Sequence, residues 1–492
     1  MTFAGKTARI QRKPMLQGKP MSENLTTLLF LAFFNVVLLG IGFFAYRRVK
    51  DNNDFILGGA KLGPFVSGLS YAASTSSVWV LLGYSGYVYA VGLSALWLLP
   101  GIWGGYVAVW LGLGKKLNDE TRTQGHLTLT NYISHGQPRR AHAIIAAIAT
   151  LLIVFCFTFY VASQLQGAGR TFETYFDWKF SYSVLIGVVV VLFYSLLGGF
   201  WAVSLTDTIQ GLFMVAISLA VPIAALVAVG GPASLLSTLP QAAPAGFLNA
   251  TGGYQGLTLI LFVVGSISIG LGTLGQPHLL NRLMALRDDK ARKQGFAIAF
   301  GWSIAVYLGM TLLALCGRVL FPSLEASETL LFQISAEYMP GIMSGVVMAA
   351  ILSAIMSTVD SQLLVVSSSI THDMQLERIA PRHAVLVSRI VMILVAALAV
   401  VLTFLAPDTI FQRVLFAWTA LGAAFGPIVV ARVIGFKHGP ATVMAAMLVG
   451  FGSAVTFFLL PNTPGDIAER LLPWCFSIVI LMARAKRNAS KR

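Results

Sequence analysis

Apolar residues fall in long runs along this chain, and polar residues collect in short stretches between them. Each run is about 20 residues long, the length that carries a helix across a hydrocarbon core of roughly 30 Å. In lipid every backbone amide must be satisfied within the protein, so such runs are expected to be helices. No alternating, strand-like pattern persists. The pattern predicts thirteen spans, at 25–46, 63–88, 94–114, 141–163, 180–198, 206–229, 255–280, 295–321, 340–370, 384–405, 411–432, 438–460 and 467–483. The stretches between them leave no room for a soluble domain of ordinary size. The expected fold class is an all-α membrane protein of about thirteen transmembrane helices, with the lipid bilayer as its solvent.

Composition agrees: 57% of residues are hydrophobic and only 11% are charged, where a soluble domain carries about 25% charged residues. The net charge of +15 would suit a nucleic-acid binder, but the basic residues sit in short loops between spans. A nucleic-acid footprint clusters on one soluble face, so no nucleic-acid partner is expected. Cys156, Cys316 and Cys475 lie in or near apolar runs without metal-ligand spacing and read as buried thiols. Neither a nucleophile–base pair nor a phosphate loop stands out, so the chain does not read as an enzyme and calls for no cofactor.

Charge then orients the spans. With the C-terminus in the cytoplasm, the inside loops hold twenty-four basic residues, from Arg47 through Arg282 to Arg492. The outside loops hold five: Arg170, Lys179, Arg318, Arg413 and Arg470. Positive charge stays on the cytoplasmic side, so this expectation puts the N-terminus outside. The first 20 residues conflict with it, since they carry Lys6, Arg9, Arg12, Lys13 and Lys19. A start at Met21 would remove the conflict.

Two spans differ from the rest. Span 2 contains Ser70-Tyr71-Ala72-Ala73-Ser74-Thr75-Ser76-Ser77, and span 7 contains Gly270, Gly272, Gly275, Gln276 and Pro277. Glycine and proline remove helix propensity and a backbone hydrogen bond. The two segments lie five spans apart, and each opens a unit of five helices. Interrupted spans at corresponding places point to an inverted-repeat secondary transporter with its site near the membrane midplane. Small and hydroxyl residues are also ordinary packing faces between membrane helices.

Span 9 carries Ala354, Ser357, Thr358 and Ser361 on one face, at i, i+3, i+4 and i+7. Asp360 lies about 60° around from Ser357. A carboxylate inside a span costs about 2.5–3.5 kcal/mol even on the lenient insertion scale, so it is expected to face a partner or a water-filled cavity. Asp207, in Ser204-Leu205-Thr206-Asp207-Thr208, stands at the predicted start of span 6, where a carboxylate also caps a helix.

These residues resemble the sodium:solute symporter family, nearest to its bacterial sodium/proline symporters. The similarity runs over residues 30–455. It rests on an ordered set: Phe55-Ile56-Leu57-Gly58-Gly59, Leu62-Gly63-Pro64-Phe65-Val66, and Gly198-Gly199-Phe200 with Ala202-Val203-Ser204 and Thr206-Asp207-Thr208. Gly275-Gln276-Pro277-His278, Ile355-Met356-Ser357-Thr358 and Ala423-Ala424-Phe425-Gly426-Pro427 complete it. The resemblance implies a leucine-transporter-like fold with a five-plus-five inverted-repeat core. The regions would be a tail at 1–24, a first span and loop at 25–62, a first repeat at 63–229, and an external loop at 230–254. A second repeat at 255–432 and two C-terminal spans with a basic cytoplasmic tail at 433–492 would follow.

The resemblance also implies sodium-coupled symport of a small organic solute, an amino acid such as proline, across a bacterial inner membrane. The main sodium site maps onto Ala73, Ser76, Ala354, Ser357 and Thr358. A second sodium site, present in some relatives, maps onto Asp207, Ser357, Asp360 and Ser361. Substrate-region positions map onto Ser77, Tyr160, Ile269, Thr273, Gln276 and Pro277. Two departures stand out. Thr75 replaces an aspartate of the proline symporters, and Asp360 is the expected source of the missing charge. Ile269 and Thr273 replace a tryptophan and a tyrosine. Proton-coupled symport on the same fold, through Asp360 or Asp207, and a non-transporting membrane sensor are the alternative readings.

Overall fold

The structure, a computed structural model, describes residues 21–46, 52–196, 199–339, 341–376, 384–405, 409–483 and 486–487. The tail at 1–20, Gly198 of the glycine pair, and Arg47, Arg48, Lys50, Arg378, Arg382, Arg484, Lys491 and Arg492 of the charge count lie outside them.

The principal helices, in chain order, are α1 (Met21–Tyr46), α2 (Pro64–Val78), α3 (Leu98–Val107), α4 (Arg139–Phe176), α5 (Phe180–Ser195), α6 (Phe200–Val229) and α7 (Gly256–Ile267). They continue as α8 (Pro277–Met284), α9 (Asp289–Leu320), α10 (Gly341–Ser368), α11 (Ala384–Leu405), α12 (Ile410–Val433), α13 (Pro440–Phe458) and α14 (Leu472–Ala483). Ten helical stretches among the described residues are long and apolar enough to cross a membrane. One of them, Pro64–Gln124, runs through predicted spans 2 and 3. Within it Gly92 turns the chain at a φ of 74°. A side chain there would strike the Phe247 carbonyl, so only glycine fits. Predicted span 13 is shorter than expected: α14 has 12 residues and covers about 18 Å at 1.5 Å per residue.

The bundle is apolar outside as well as inside. Leu151, Val189, Val227, Leu257 and Leu394 are each more than 60% exposed, an arrangement that suits acyl chains and not water. At the centre, the apolar windows of α10 and α12 are almost wholly buried. Around them pack α2, α4 and α6, and α9 packs in turn against α2 and α6.

Loops predicted to lie on one side do meet at one end. Lys116 donates to the Val433 carbonyl at 2.6 Å, Gln137 to the His438 carbonyl at 2.9 Å, and Arg432 to Glu120 at 3.2 Å. In the loop 125–128, the His126 ring lies 4.7 Å from that of His135 and 5.8 Å from that of Tyr132. Burial holds the His126 pKa down to about 4, with His135 and Arg432 adding to the effect. An unfolded histidine titrates near 6.5, so unfolding takes up a proton between about pH 4 and 6.5. The stability this residue contributes is therefore complete above pH 6.5 and is lost as pH falls toward 4. Melting temperature followed against pH should fall less steeply over that window in His126→Gln; an unaltered acid limb would refute this role.

Candidate functional site: two broken helices around a buried polar core

Both predicted interruptions are present. α2 keeps helical dihedrals up to Ser77, which sits at φ 50°, ψ −171°. A serine in that region is strained and persists only where its surroundings hold it. Two contacts do so: Ser77 Oγ accepts from the Trp79 amide at 3.0 Å, and Gln164 Oε1 of α4 accepts from the Val78 amide at 3.2 Å. The second interruption lies between α7 and α8. Residues Ser268–Gly275 tighten into a 3₁₀ turn, Gln276 is extended (ψ 110°), and Pro277 starts α8. Proline suits that first helical position, where its missing N–H is not needed.

Glycine allows this turn to pack against its neighbours at backbone distance. A side chain on Gly270 would meet the Gly101 carbonyl at 2.0 Å, and one on Gly422 would meet the Gly272 Cα at 2.4 Å. One on Gly275 would meet the Leu421 carbonyl at 2.7 Å. Trp418 then clamps the turn: its indole donates to the Ile269 carbonyl at 3.0 Å, and its own carbonyl accepts from Gln276 Nε2 at 2.9 Å.

Between the breaks is a narrow cavity lined by Thr75, Trp79, Ile102, Tyr106, Tyr160, Ile269, Thr273, Tyr307, Val414, Leu415 and Trp418. Its walls are aromatic and aliphatic, with two threonines and no ionised side chain. Tyr160, Ile269 and Thr273 of the expected substrate positions reach it. Ser77 caps the bend, Gln276 pins Trp418 and Pro277 starts a helix, so these three act behind the wall. Trp79, Tyr106, Tyr307 and Trp418 come from four separate segments and had no signal in the sequence spacing. The Trp79 indole N–H is buried without a hydrogen-bond partner. Buried polar groups are nearly always paired, so it is available to a ligand.

Gly272→Ala probes this wall. The new methyl would lie 2.1 Å from Trp418 Cδ1, forcing the indole out of position. Overpacking of this kind costs about 1–3 kcal/mol, so the KM for solute should rise roughly tenfold in uptake assays. An unaltered KM would show that Trp418 does not shape the cavity.

Behind the cavity, α10 presents its hydroxyl face to α2. Ser357 and Thr358 are fully buried. Thr358 Oγ1 lies 3.4 Å from the Ser74 carbonyl and 3.1 Å from the Ala354 carbonyl. Ser74 Oγ donates to the Ser357 carbonyl at 2.8 Å. The structure thus brings together Ala354, Ser357 and Thr358 with the stretch of α2 that contains Ala73 and Ser76. The α2 carbonyl that Thr358 is seen to contact is that of Ser74, one residue beyond Ala73.

The acidic positions differ from the sequence reading. Asp207 is not a helix cap: α6 begins at Phe200, a full two turns earlier, and Asp207 is completely buried. The chain starts this helix directly after Gly199, which a hydropathy boundary at 206 overlooks. Its partner is Arg282, counted from the sequence among loop cations but only 1% exposed within α8. Arg282 Nη2 lies 2.8 Å from Asp207 Oδ2, 2.8 Å from Ser74 Oγ and 2.5 Å from Ser361 Oγ, and Nε lies 2.8 Å from Ser70 Oγ. Ser70 donates to Asp207 Oδ2 at 2.6 Å, and Ser361 lies 3.3 Å from Asp360 Oδ1. Two of the four positions expected to form a second sodium site, Asp207 and Ser361, therefore contact a guanidinium.

The profile of the sodium:solute symporter family matches residues 55–450. The high-affinity proline transporter PutP of Bacillus subtilis is 32% identical over 458 residues, 90% of this chain and 96% of that one. The sodium/proline symporter of Escherichia coli is 31% identical over 437 residues, covering 85% and 86%. A solved Na⁺-coupled sialic acid symporter, in a substrate-bound outward-open state, has a TM-score of 0.78 at 16% identity over 94% of this chain and 99% of that chain. A nucleobase-cation-symport-1 transporter with bromovinylhydantoin bound reaches 0.52 at 12% identity, covering 88% and 95%. These two likenesses establish a shared fold. The profile match takes in both broken segments and the hydroxyl face opposite them, and the chain belongs to the sodium:solute symporter family.

Proposed function

We propose that the chain is a secondary active transporter that couples sodium entry to uptake of a small zwitterionic solute, with proline the best fit. The observation that carries this is the meeting of the bent α2 with Ser357 and Thr358 directly behind an apolar cavity. Sodium takes hard oxygen donors. Backbone oxygens of Ala73, Ser76 and Ala354 and the hydroxyls of Ser357 and Thr358 would supply five. Closeness of the Ser74 carbonyl to Thr358 supports this part of α2 as the donor strip.

The cavity gives the solute class. Its walls suit a compact hydrocarbon body and offer no fixed charge to hold a strongly ionic side chain. A carboxylate and an amine would be met by sodium and by polar groups at the broken helix ends. Relatives named as proline transporters make an imino acid the first solute to test. Coupling then needs only that sodium and solute favour the same conformation, with a typical linkage of about 1–3 kcal/mol.

In this reading thirteen spans include a five-plus-five core, with the cytoplasmic end at Lys116, Arg432 and Lys437 and the N-terminus outside. Proteoliposomes should accumulate proline under an inward sodium gradient with no pH gradient. Accumulation driven by a pH gradient alone, with sodium ineffective, would overturn sodium coupling.

A further inference from the structure

We propose that a cavity at the end of the bundle read above as cytoplasmic binds the phosphate of an anionic phospholipid, one whose headgroup carries no balancing amine.

The cavity has a volume of about 430 Å³ and lies between the helix Gly114–Gln124, the start of α4, the end of α12 and the start of α13. Ligand pockets commonly measure about 300–1,000 Å³. Lys116, Arg432 and Lys437 line it, together with His135 and His438. The carboxylate in the lining, Glu120, is engaged by Arg432 at 3.2 Å. Three fixed cations therefore face one carboxylate, an excess of two positive charges.

These cations are held in place by the protein itself. Arg432 lies over the Tyr132 ring at 4.4 Å and donates to the His135 carbonyl at 3.2 Å. Lys116 donates one proton to the Val433 carbonyl at 2.6 Å, and an ammonium has three to give. Lys437 is exposed. Two helix N-termini open here as well. Gln137 and His438 of the lining stand two residues ahead of α4 and α13, and neither helix has a capping side chain. Uncapped N–H groups and the helix dipole favour an anion. A short ribbon adds an independent sign: β1 (Phe436–Lys437) pairs antiparallel with β2 (Lys486–Arg487), and the register sets Lys437 opposite Lys486. Like charges in opposed positions destabilise a ladder, and an anion beside it offsets that cost.

The rest of the lining selects a lipid over free phosphate. Ile133, Ile428, Phe436 and Val443 are apolar; inorganic phosphate gains nothing from them, whereas glycerol and the first acyl carbons do. The site is also within reach of the bilayer. Only 33% of the apolar window of α13 is buried, and Ile434, next to Gly435 of the lining, is 62% exposed. Basic pockets between spans on the cytoplasmic side suit lipid headgroups. An ethanolamine headgroup brings its own cation and would leave the excess charge standing.

Native mass spectrometry of the full-length protein in neutral detergent can count bound molecules while phosphatidylglycerol, phosphatidylethanolamine or inorganic phosphate is titrated in. The wild type should retain one phosphatidylglycerol per chain in preference to phosphatidylethanolamine. Lys437→Gln should weaken that binding roughly fivefold and Lys116→Gln/Lys437→Gln roughly 30-fold, the effect of one and of two lysines beside anionic lipid. Lys179→Gln, at the opposite end of α4, should match the wild type. Equal retention of phosphatidylethanolamine, or an affinity unaltered by Lys437→Gln, would overturn the inference. So would a loss as large in Lys179→Gln, which would mark unspecific charge attraction. Inorganic phosphate that binds as tightly as phosphatidylglycerol would assign the cavity to the free ion and overturn the lipid. Should the double variant fail to fold, Lys437→Gln decides alone. None of these outcomes bears on sodium coupling.

Discussion

Asp207→Ala should be the most damaging single change in the protein, lowering its stability by about 3–5 kcal/mol, the usual cost of removing one partner from a buried ion pair. Both side chains are essentially inaccessible, and Arg282 cannot neutralise itself. The variant would leave a guanidinium with only hydroxyls and a carbonyl around it. Its folded-to-unfolded ratio should drop roughly 10²- to 10⁴-fold. Detergent-solubilised protein should melt earlier by roughly 3–5 °C. Adding Arg282→Met should restore most of the loss, because a buried pair can often be replaced by apolar groups at little cost. A rescue that fails would show that Asp207 stabilises α6 by some other contact.

The second large effect concerns transport and leaves folding nearly intact. Thr358→Val keeps the side-chain volume and removes only the hydroxyl, so the sodium concentration for half-maximal uptake should rise by about 10- to 150-fold. That corresponds to about 1.5–3 kcal/mol, the worth of one polar contact to a charged partner. Saturating sodium should recover much of the rate. The Thr358 hydroxyl lies between carbonyls of two helices, Ser74 of α2 and Ala354 of α10, so its loss affects the shell from both sides. Sodium dependence equal to that of the wild type would remove Thr358 from the site.

The broad architecture was readable in one dimension because lipid imposes a simple rule on length and polarity. The breaks were readable too: Ser77 bends α2 within the predicted hydroxyl run, and the second bend falls at Gly275-Gln276-Pro277. Arg282 was misread because a basic residue just past an apolar run looks like a loop cation. The signal against that reading was local. Pro277 begins a fresh turn of helix, and an arginine five residues later is still within it and can point inward. Asp207 failed for the converse reason, since hydropathy placed its helix start too late. The aromatic lining was out of reach. Trp79, Tyr106, Tyr307 and Trp418 stand far apart in sequence, and only the packing of α9 and α12 against the broken segments unites them.

The glycine contacts at Gly101, Gly272 and Gly422 bear on how such a protein changes its diet. They fix the course of the main chain through atoms every amino acid possesses, so the frame is indifferent to what projects from it. Ile269 and Thr273 are panels hung on that frame, and they can be exchanged without disturbing the oxygen shell proposed for the ion on the far side of the bend. Descendants could therefore acquire a new nutrient by replacing one or two panels while inheriting the old power source unchanged.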